Sequence, residues 1–325
     1  MDKAIKKNLL LNLYKKMQLI RCVEEHISEN YSQQEIRCPI HLSIGQEAAA
    51  VGVCHNLDKK DKMFSTHRCH AHYIAKGGSL EKMIGEIYGK VNGCCKGRGG
   101  SMHLFDEAAG LSSSIPIVGS GIPVAVGNAL ANKLNNKKNI TVACFGDGTV
   151  EEGVFYESLN FAILKKLSVF FFCENNFYSV MTHIKERQPS NFLKKINQLY
   201  DLPLKIINGN NVEEVFVESK KLIDYIKKGN GPAMIVLNTH RYKEHCGPNE
   251  DIQLGYRDKK EYSFWKSLDP ISLCEKKLKN KYNVKNDVLN KIQRLNNNLC
   301  LNAFKKAQKA SLPNFKNAHL KVYSE

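Results

Sequence analysis

Residues 140–176 read ITVACFGDGTVEEGVFYESLNFAILKKLSVFFFCENN, and this stretch decides the fold. An apolar run at residues 140–145 is followed by a helical pattern at residues 151–164 and by a second apolar run at residues 168–173. Two strands joined by a helix of this length are typical of a crossover between parallel strands. The stretch therefore predicts an α/β fold with a mostly parallel sheet.

The same alternation continues toward the end of the chain. Two further strands are predicted at residues 204–207 and 234–237, with a helix at residues 212–228 between them. Helical patterns resume at residue 269 and continue to the end. We interpret residues 269–325 as a helical extension of the same domain.

Upstream of the deciding stretch, residues 1–35 are predicted to be an N-terminal helix. Residues 58–110 are interpreted as loop-rich because glycines interrupt them, and residues 119–134 as a helix of small residues. No composition shift or linker divides the chain. We therefore expect residues 1–325 to form a single α/β domain, in which helices flank the sheet and extend both ends.

Composition excludes several classes of protein. Apolar residues make up 42% of the chain and charged residues 25%, which is ordinary for a globular protein and argues against disorder. No run approaches the roughly 18–20 apolar residues that a membrane span requires. Lys15 and Lys16 interrupt the apolar residues of the first helix, so we expect no signal peptide.

Cysteine and charge usage bear on compartment and partners. The 11 cysteines are scattered and form no C-x-x-C pair, which predicts free thiols in a cytoplasmic protein and favours neither disulfides nor a zinc site. The net charge of +16 comes from lysines spread along the chain, without an arginine-rich stripe or a nucleic-acid-binding motif. We therefore expect neither a nucleic-acid nor a membrane partner.

Polar residues follow the two strands of the deciding stretch. The first strand runs into Gly146-Asp147-Gly148 and the second into Asn175-Asn176, and Gly146 and Asn176 are 30 residues apart (176 − 146). A right-handed crossover of this length brings both strand ends to the same edge of the sheet. A carboxylate and an amide oxygen there are suited to Mg²⁺, and adjacent glycines allow a diphosphate to approach the backbone. The pattern predicts a site for a metal-bridged diphosphate cofactor.

A GDG sequence that is followed about thirty residues later by NN looks like the thiamine-diphosphate motif. The surrounding sequence resembles the α subunit of the decarboxylating component of 2-oxo acid dehydrogenases of the pyruvate and acetoin type. Further motifs that carry this resemblance occur in the family's order along the chain: HLSIGQEAAAVG (41–52), THRCHAHYIAKGG (66–78), KGRGGSMHLFD (96–106), IVGSGIPVAVGNALA (117–131), THRY (239–242) and the closing region near Val322-Tyr323. The resemblance implies the diphosphate-binding half of a thiamine-diphosphate-binding fold.

The resemblance also implies roles for individual residues. Asp147, Asn176 and the main-chain oxygen of Tyr178 would bind Mg²⁺. Gly148 and Thr149 would lie along the diphosphate.

Other implied roles concern the two ends of the cofactor. Arg68 would bind a terminal phosphate, with His67 beside it at the family's tyrosine position. Val118 would meet the aminopyrimidine through its backbone. His245 would contact the phosphate end and take part in catalysis, and His70 would face the thiazolium and assist proton transfer around the bound 2-oxo acid.

The resemblance further implies a partner chain. The glutamate that activates the cofactor belongs to a separate β subunit with the pyrimidine-binding domain, and this chain has length for only one of the two domains. The expected assembly is an α₂β₂ heterotetramer with residues 119–134 as an assembly surface. It would decarboxylate a small 2-oxo acid such as pyruvate and transfer the acyl unit to the lipoyl group of an acyltransferase.

Two alternatives remain open at this point. In the first, decarboxylation is followed by carbon–carbon bond formation, and the chain is a subunit of a carboligase in small-molecule or cell-surface sugar biosynthesis. The acidic run at residues 247–251 and the following Gly255-Tyr256-Arg257 resemble a branch of the family seen in such biosynthesis. The other alternative is a non-catalytic subunit that retains the fold.

Overall fold

The computed structural model describes residues 6–314 and Lys316, so the motif near Val322-Tyr323 lies outside the described residues. The strands are β1 (Lys62–Ser65), β2 (Leu111–Ser114), β3 (Thr141–Gly146), β4 (Val169–Asn175), β5 (Tyr178–Ser179), β6 (Thr182–His183), β7 (Leu204–Asn208) and β8 (Ala233–Asn238). The α-helices are α1 (Lys7–Asn30), α2 (Glu47–Cys54), α3 (His70–Lys76), α4 (Leu80–Ile87), α5 (Gly121–Leu134), α6 (Gly153–Leu164), α7 (Phe192–Tyr200), α8 (Val212–Lys227), α9 (Lys259–Ser267), α10 (Pro270–Tyr282) and α11 (Asn286–Lys309). Short 3₁₀ turns cover Tyr31–Gln33, Asp147–Glu151, Ile184–Glu186 and Ile252–Leu254.

Six strands form one parallel sheet in the order β2-β1-β3-β4-β8-β7. β3 and β4 are direct neighbours, and Gly146 is in register with Glu174. Their carboxyl ends therefore lie side by side, as the spacing of the deciding stretch predicts. β5 and β6 form a separate antiparallel pair just beyond the end of β4. The predicted fold class is confirmed.

The central strand β4 contributes to the hydrophobic clusters on both faces of the sheet. Phe170 and Phe172 pack into the cluster that contains buried residues of α1, α2, α8 and α11, whereas Phe171 and Cys173 pack into the cluster formed with α5, α6 and α7. Successive strand residues point to opposite faces, so a strand covered by helices on both sides is apolar throughout. This explains the uninterrupted run VFFFC and fixes the position of Asn175 and Asn176 after it.

The predictions for residues 58–110 differ from the structure. This stretch contains β1, α3 and α4, and β2 follows it directly, although the glycines indicated loops. β1 has only four residues, and its pairing with β3 and β2 stabilises it through contacts that no local pattern reveals. Helix ends also shift modestly: the N-terminal helix ends at Asn30 rather than near residue 35, and α5 begins at Gly121.

None of the helices in residues 6–314 combines the length and the apolar character that crossing a membrane requires.

Candidate active site

The site is a cleft at the carboxyl ends of β3 and β4. Asp147 begins the turn that follows β3, Asn176 directly follows β4, and both side chains line this cleft. Asn176 is oriented by its neighbours, because its Oδ1 accepts a hydrogen bond from the Tyr178 backbone N–H at 3.2 Å and its Nδ2 donates to Gln46 Oε1 at 3.4 Å. The predicted convergence of the two residues is therefore present.

Asp147 is buried, with only 2% of its surface exposed. Burial raises the pKa of its carboxyl group, while the Arg187 guanidinium and the backbone N–H groups of Asp147 and Asn176 act in the opposite direction. Arg187 forms ion pairs with both Asp147 and Glu151. No motif in the sequence predicted this arginine, which follows the β5–β6 hairpin.

Oxygen atoms dominate this end of the cleft. Asp147 offers a carboxylate and Asn176 an amide oxygen, and Tyr178, Gly148 and Thr149 also line the cleft. A β-carbon at Gly148 would lie 3.2 Å from Ser179 Oγ, so the close approach of these two segments favours glycine. Carboxylate and carbonyl-type oxygens are the ligands of Mg²⁺, and the residues present fit that ion.

The same cleft also contains a buried cation. Arg68 is buried, and its guanidinium donates to Leu42 O at 2.8 Å and to His245 O at 3.2 Å. Burial lowers the pKa of Arg68 to about 9, and the positive charge of Arg241 adds to this effect. A buried cation without a carboxylate bonded to it is a strong candidate for binding an anionic group.

Three histidines lie beside Arg68 in the same cleft: His41, His67 and His245. Their ring centroids are 4.6 Å (His41–His67), 5.1 Å (His41–His245) and 5.4 Å (His67–His245) apart. Burial, reinforced by the charge of Arg68, lowers the pKa to about 2 for His41, about 3 for His67 and about 4 for His245. All three rings are therefore neutral near pH 7 and can each donate one N–H.

Among the described residues, His41 Nδ1 and Gln46 Nε2 are buried polar atoms of the cleft that have no hydrogen-bond partner. Both belong to side chains that line the cleft near Arg68 or Asn176. Unsatisfied buried donors are costly, so they indicate that a polar ligand normally fills the space. Oxygen ligands and N–H donors in one cleft match a magnesium diphosphate. His41 was not among the predicted site residues, although it opens the quoted motif at residues 41–52.

Val118 lies on the rim of the cleft. It lines the cleft together with Pro116 and Ile117, and it is 51% exposed while Ile117 is 71% exposed. Large apolar side chains that stay this exposed beside a cleft mark a surface that another molecule covers.

His70 is placed differently from its predicted role. It does not line the cleft in the described part of the chain, and it is completely buried. Its Nδ1 lies 3.1 Å from Glu24 Oε1 and its Nε2 lies 2.7 Å from Ser101 Oγ. Both ring nitrogens are bonded to protein groups, so the structure does not support the predicted contact of His70 with the cofactor.

The loop that carries His245 is held by a buried ionic cluster. Asp251 pairs with Arg241 and Arg257 at 3.2 Å each, and it also accepts a hydrogen bond from the Tyr256 hydroxyl. Arg257 in turn donates to the Arg241 carbonyl at 2.6 Å. The acidic run at residues 247–251, on which the carboligase alternative rests, thus also supplies the carboxylate that holds the loop.

The sequence comparisons identify related proteins. The family described as dehydrogenase E1 component matches residues 15–316. The chain is 38% identical over 233 residues to the alpha subunit of acetoin:2,6-dichlorophenolindophenol oxidoreductase of Bacillus subtilis, which covers 72% of this chain and 70% of that protein. It is 33% identical over 311 residues to the pyruvate dehydrogenase E1 component subunit alpha of Rickettsia bellii, covering 95% and 94%. A chloroplastic pyruvate dehydrogenase E1 subunit alpha-3 of Arabidopsis thaliana is 34% identical over 275 residues, which is 82% of this chain but only 63% of that protein.

Proposed function

The chain belongs to the dehydrogenase E1 component family, and from that premise we propose that its cleft at the ends of β3 and β4 holds Mg²⁺ and thiamine diphosphate for decarboxylation of a small, pyruvate-like 2-oxo acid. As in this family, it acts as the α subunit of a thiamine-diphosphate-dependent 2-oxo acid dehydrogenase. The observation that carries the placement is the convergence of Asp147 and Asn176 on one cleft.

The proposed roles follow from the contacts. Asp147, Asn176 and the main-chain oxygen of Tyr178 would hold Mg²⁺, while Gly148 and Thr149 would lie along the diphosphate. When bound, thiamine diphosphate supplies the electron sink that decarboxylation of a 2-oxo acid requires.

The chain's own side chains would position that group and exclude water from it. Arg68 would neutralise the terminal phosphate, with N–H groups from His41, His67 and His245 as further donors. His245 is the candidate for proton transfer, because it faces the cleft on an ordered loop and is neutral near pH 7. Val118 would contact the pyrimidine end through its backbone.

The partner of an E1 α subunit is a β subunit. We propose that the β subunit covers the apolar rim at Ile117 and Val118, and that α5 serves as an assembly surface in an α₂β₂ heterotetramer. Support comes from the exposed Val124 and Leu134 on this helix. We further propose that a lipoyl acyltransferase accepts the acyl group and that residues 1–325 form a single domain. The cysteine pattern supports a cytoplasmic location.

The test is reconstitution with a β subunit. The full chain alone is expected to be inactive toward pyruvate, whereas the chain with its β partner, Mg²⁺ and thiamine diphosphate is expected to transfer an acetyl group to a lipoyl domain. Normal decarboxylation by the isolated chain would contradict the proposal. Carbon–carbon bond formation without lipoyl acylation would favour the carboligase alternative, and absence of cofactor binding to the assembled complex, measured by calorimetry, would favour a non-catalytic subunit.

A further inference from the structure

The cluster of His41, His67 and His245 has the composition of a transition-metal site. Each residue comes from a different segment: His41 precedes α2, His67 lies between β1 and α3, and His245 follows β8. Their potential ligand nitrogens all lie within 4.8 Å of one another. Three Zn–N bonds of about 2.0–2.1 Å place tetrahedral nitrogens about 3.3 Å apart, so small side-chain rotations bring the three rings onto one ion.

The surroundings of the cluster favour nitrogen coordination. His41 is 94% buried (6% exposed), and its Nδ1 faces no hydrogen-bond donor or acceptor in the described residues. The rings of His67 and His245 contact His41 and one another edge-on or tilted. Imidazole ligands select zinc, copper and nickel over magnesium, which prefers oxygen. The cluster is thus chemically distinct from the oxygen ligands Asp147 and Asn176 of the same cleft.

We propose that His41, His67 and His245 form a binding site for a divalent transition-metal ion of the Zn²⁺ class, with the fourth coordination position open to the cleft. The charge of Arg68, whose guanidinium reaches the His245 carbonyl, opposes a dication there. The site therefore binds its metal reversibly and more weakly than a closed structural zinc site. His67 is decisive, because it supplies the third imidazole that completes the set.

A consequence that rests on the proposed function is competition with the cofactor. The three imidazoles coordinate a metal through the same nitrogens that would otherwise donate to the terminal phosphate. A metal ion on these nitrogens removes the donors, and a bound diphosphate covers them. Zn²⁺ therefore inhibits cofactor loading, and thiamine diphosphate protects against the metal.

The metal site is tested with Co²⁺ as a spectroscopic probe on the cofactor-free full chain. We expect one Co²⁺ per chain with the intense visible bands of tetrahedral coordination and no thiolate charge-transfer band. The latter criterion separates the site from the thiol-containing groups Cys22–His26–Cys300 and Glu86–Cys94–Cys95.

Substitution then assigns the ligands. His67→Tyr is expected to weaken Co²⁺ binding by at least about tenfold, and His41→Gln likewise, with the far-UV spectrum of each variant checked for an intact fold. His103→Gln is the matched control, because His103 is exposed and donates to the Gly99 carbonyl outside the cluster. Absence of tetrahedral Co²⁺ in the parent, or equal binding by parent and His67→Tyr, would overturn the site.

Competition is measured separately by titrating Zn²⁺ into the complex with the β subunit at increasing thiamine diphosphate. The apparent Zn²⁺ affinity is expected to fall as the cofactor concentration rises. A Zn²⁺ affinity that does not change with the cofactor concentration would contradict the competition but not the metal site. Cofactor binding in a protein that takes up no Co²⁺ would overturn the metal site and leave the proposed function standing.

Discussion

The guanidinium of Arg187 forms an ion pair with the carboxylate of Asp147 at the end of β3. Asp147 is thus a buried acid whose charge is balanced within the chain, through an arginine that also binds Glu151. A buried carboxylate without such a partner would take up a proton instead. Arg187 therefore opposes the rise in the Asp147 pKa that burial causes, which favours the charged form that a magnesium ion requires.

Removal of the Asp147 charge should abolish metal-dependent cofactor binding. In Asp147→Asn the shape is retained but the anionic ligand is lost, and we expect thiamine diphosphate affinity in the presence of Mg²⁺ to fall by at least about 100-fold. Calorimetry on the complex with the β subunit measures this. Asp224→Asn, at an exposed position of α8, is the control and should bind like the parent. Tight cofactor binding by Asp147→Asn would exclude Asp147 as a ligand.

We expect Asp251 to contribute more to the free energy of unfolding than its acidic neighbour Glu250. Asp251→Asn leaves the buried guanidinium groups of Arg241 and Arg257 without their carboxylate, and we expect the free energy of unfolding to drop by about 3–5 kcal/mol. Urea denaturation measures the change. Glu250→Gln, one residue earlier but exposed, should stay within about 0.5 kcal/mol of the parent. Equal effects of the two substitutions would show that the buried cluster does not stabilise the loop.

Glu86 should determine the order of the glycine-rich loop at residues 95–100. Its buried carboxylate accepts four backbone N–H groups, from Cys95 at 2.7 Å, Gly97 at 2.9 Å, Gly99 at 2.7 Å and Gly100 at 3.1 Å. Glu86→Gln replaces one acceptor oxygen by a donor, so we expect a loss of about 2–3 kcal/mol in unfolding free energy.

The same substitution should expose the loop to trypsin, which cleaves after Lys96 and Arg98. Limited proteolysis followed by mass spectrometry detects this cleavage. Glu81→Gln on the same helix α4 is the control, since the Glu81 side chain is exposed and pairs with Lys306 at the surface. Unchanged proteolysis in Glu86→Gln would contradict the role of the carboxylate.

His240 should make stability depend on pH. It is buried against Trp265, and burial together with the nearby Arg257 lowers its pKa from 6.5 to about 3. The unfolded chain takes up the proton first, so the stability that neutral His240 contributes is complete above pH 6.5 and is lost as pH falls toward 3.

His240→Phe removes this titration and keeps an aromatic ring beside Trp265. Below pH 6.5 the unfolding free energy of the parent should decline more steeply than that of the variant, by at most about 1.4 kcal/mol per pH unit. Denaturant unfolding at pH 7.5, 6 and 5 measures both slopes. Parallel curves for the two proteins would contradict the assignment.

The sequence predicts well those parts of the site that depend on strand ends. Asp147 and Asn176 directly follow two apolar runs that form buried strands. Because these strands pair in parallel, their carboxyl ends lie side by side and bring the two residues to the same edge of the sheet. Arg187 reaches Asp147, and His41 reaches the cleft, from loops whose positions depend on tertiary packing that no spacing encodes. For His70 the matching motif was misleading. Its ring nitrogens contact Glu24 and Ser101, which are far from it in the sequence, and no local pattern predicts these contacts.

The exposed rim at Ile117 and Val118 couples cofactor binding to subunit association. If the second subunit closes the same cleft that holds the cofactor, each binding event favours the other by an equal free energy. Diluting the assembly would then release the vitamin before any helix or strand melts, and adding the vitamin would draw the subunits together. The quantity that governs activity at low protein concentration would be subunit association, with fold stability secondary to it.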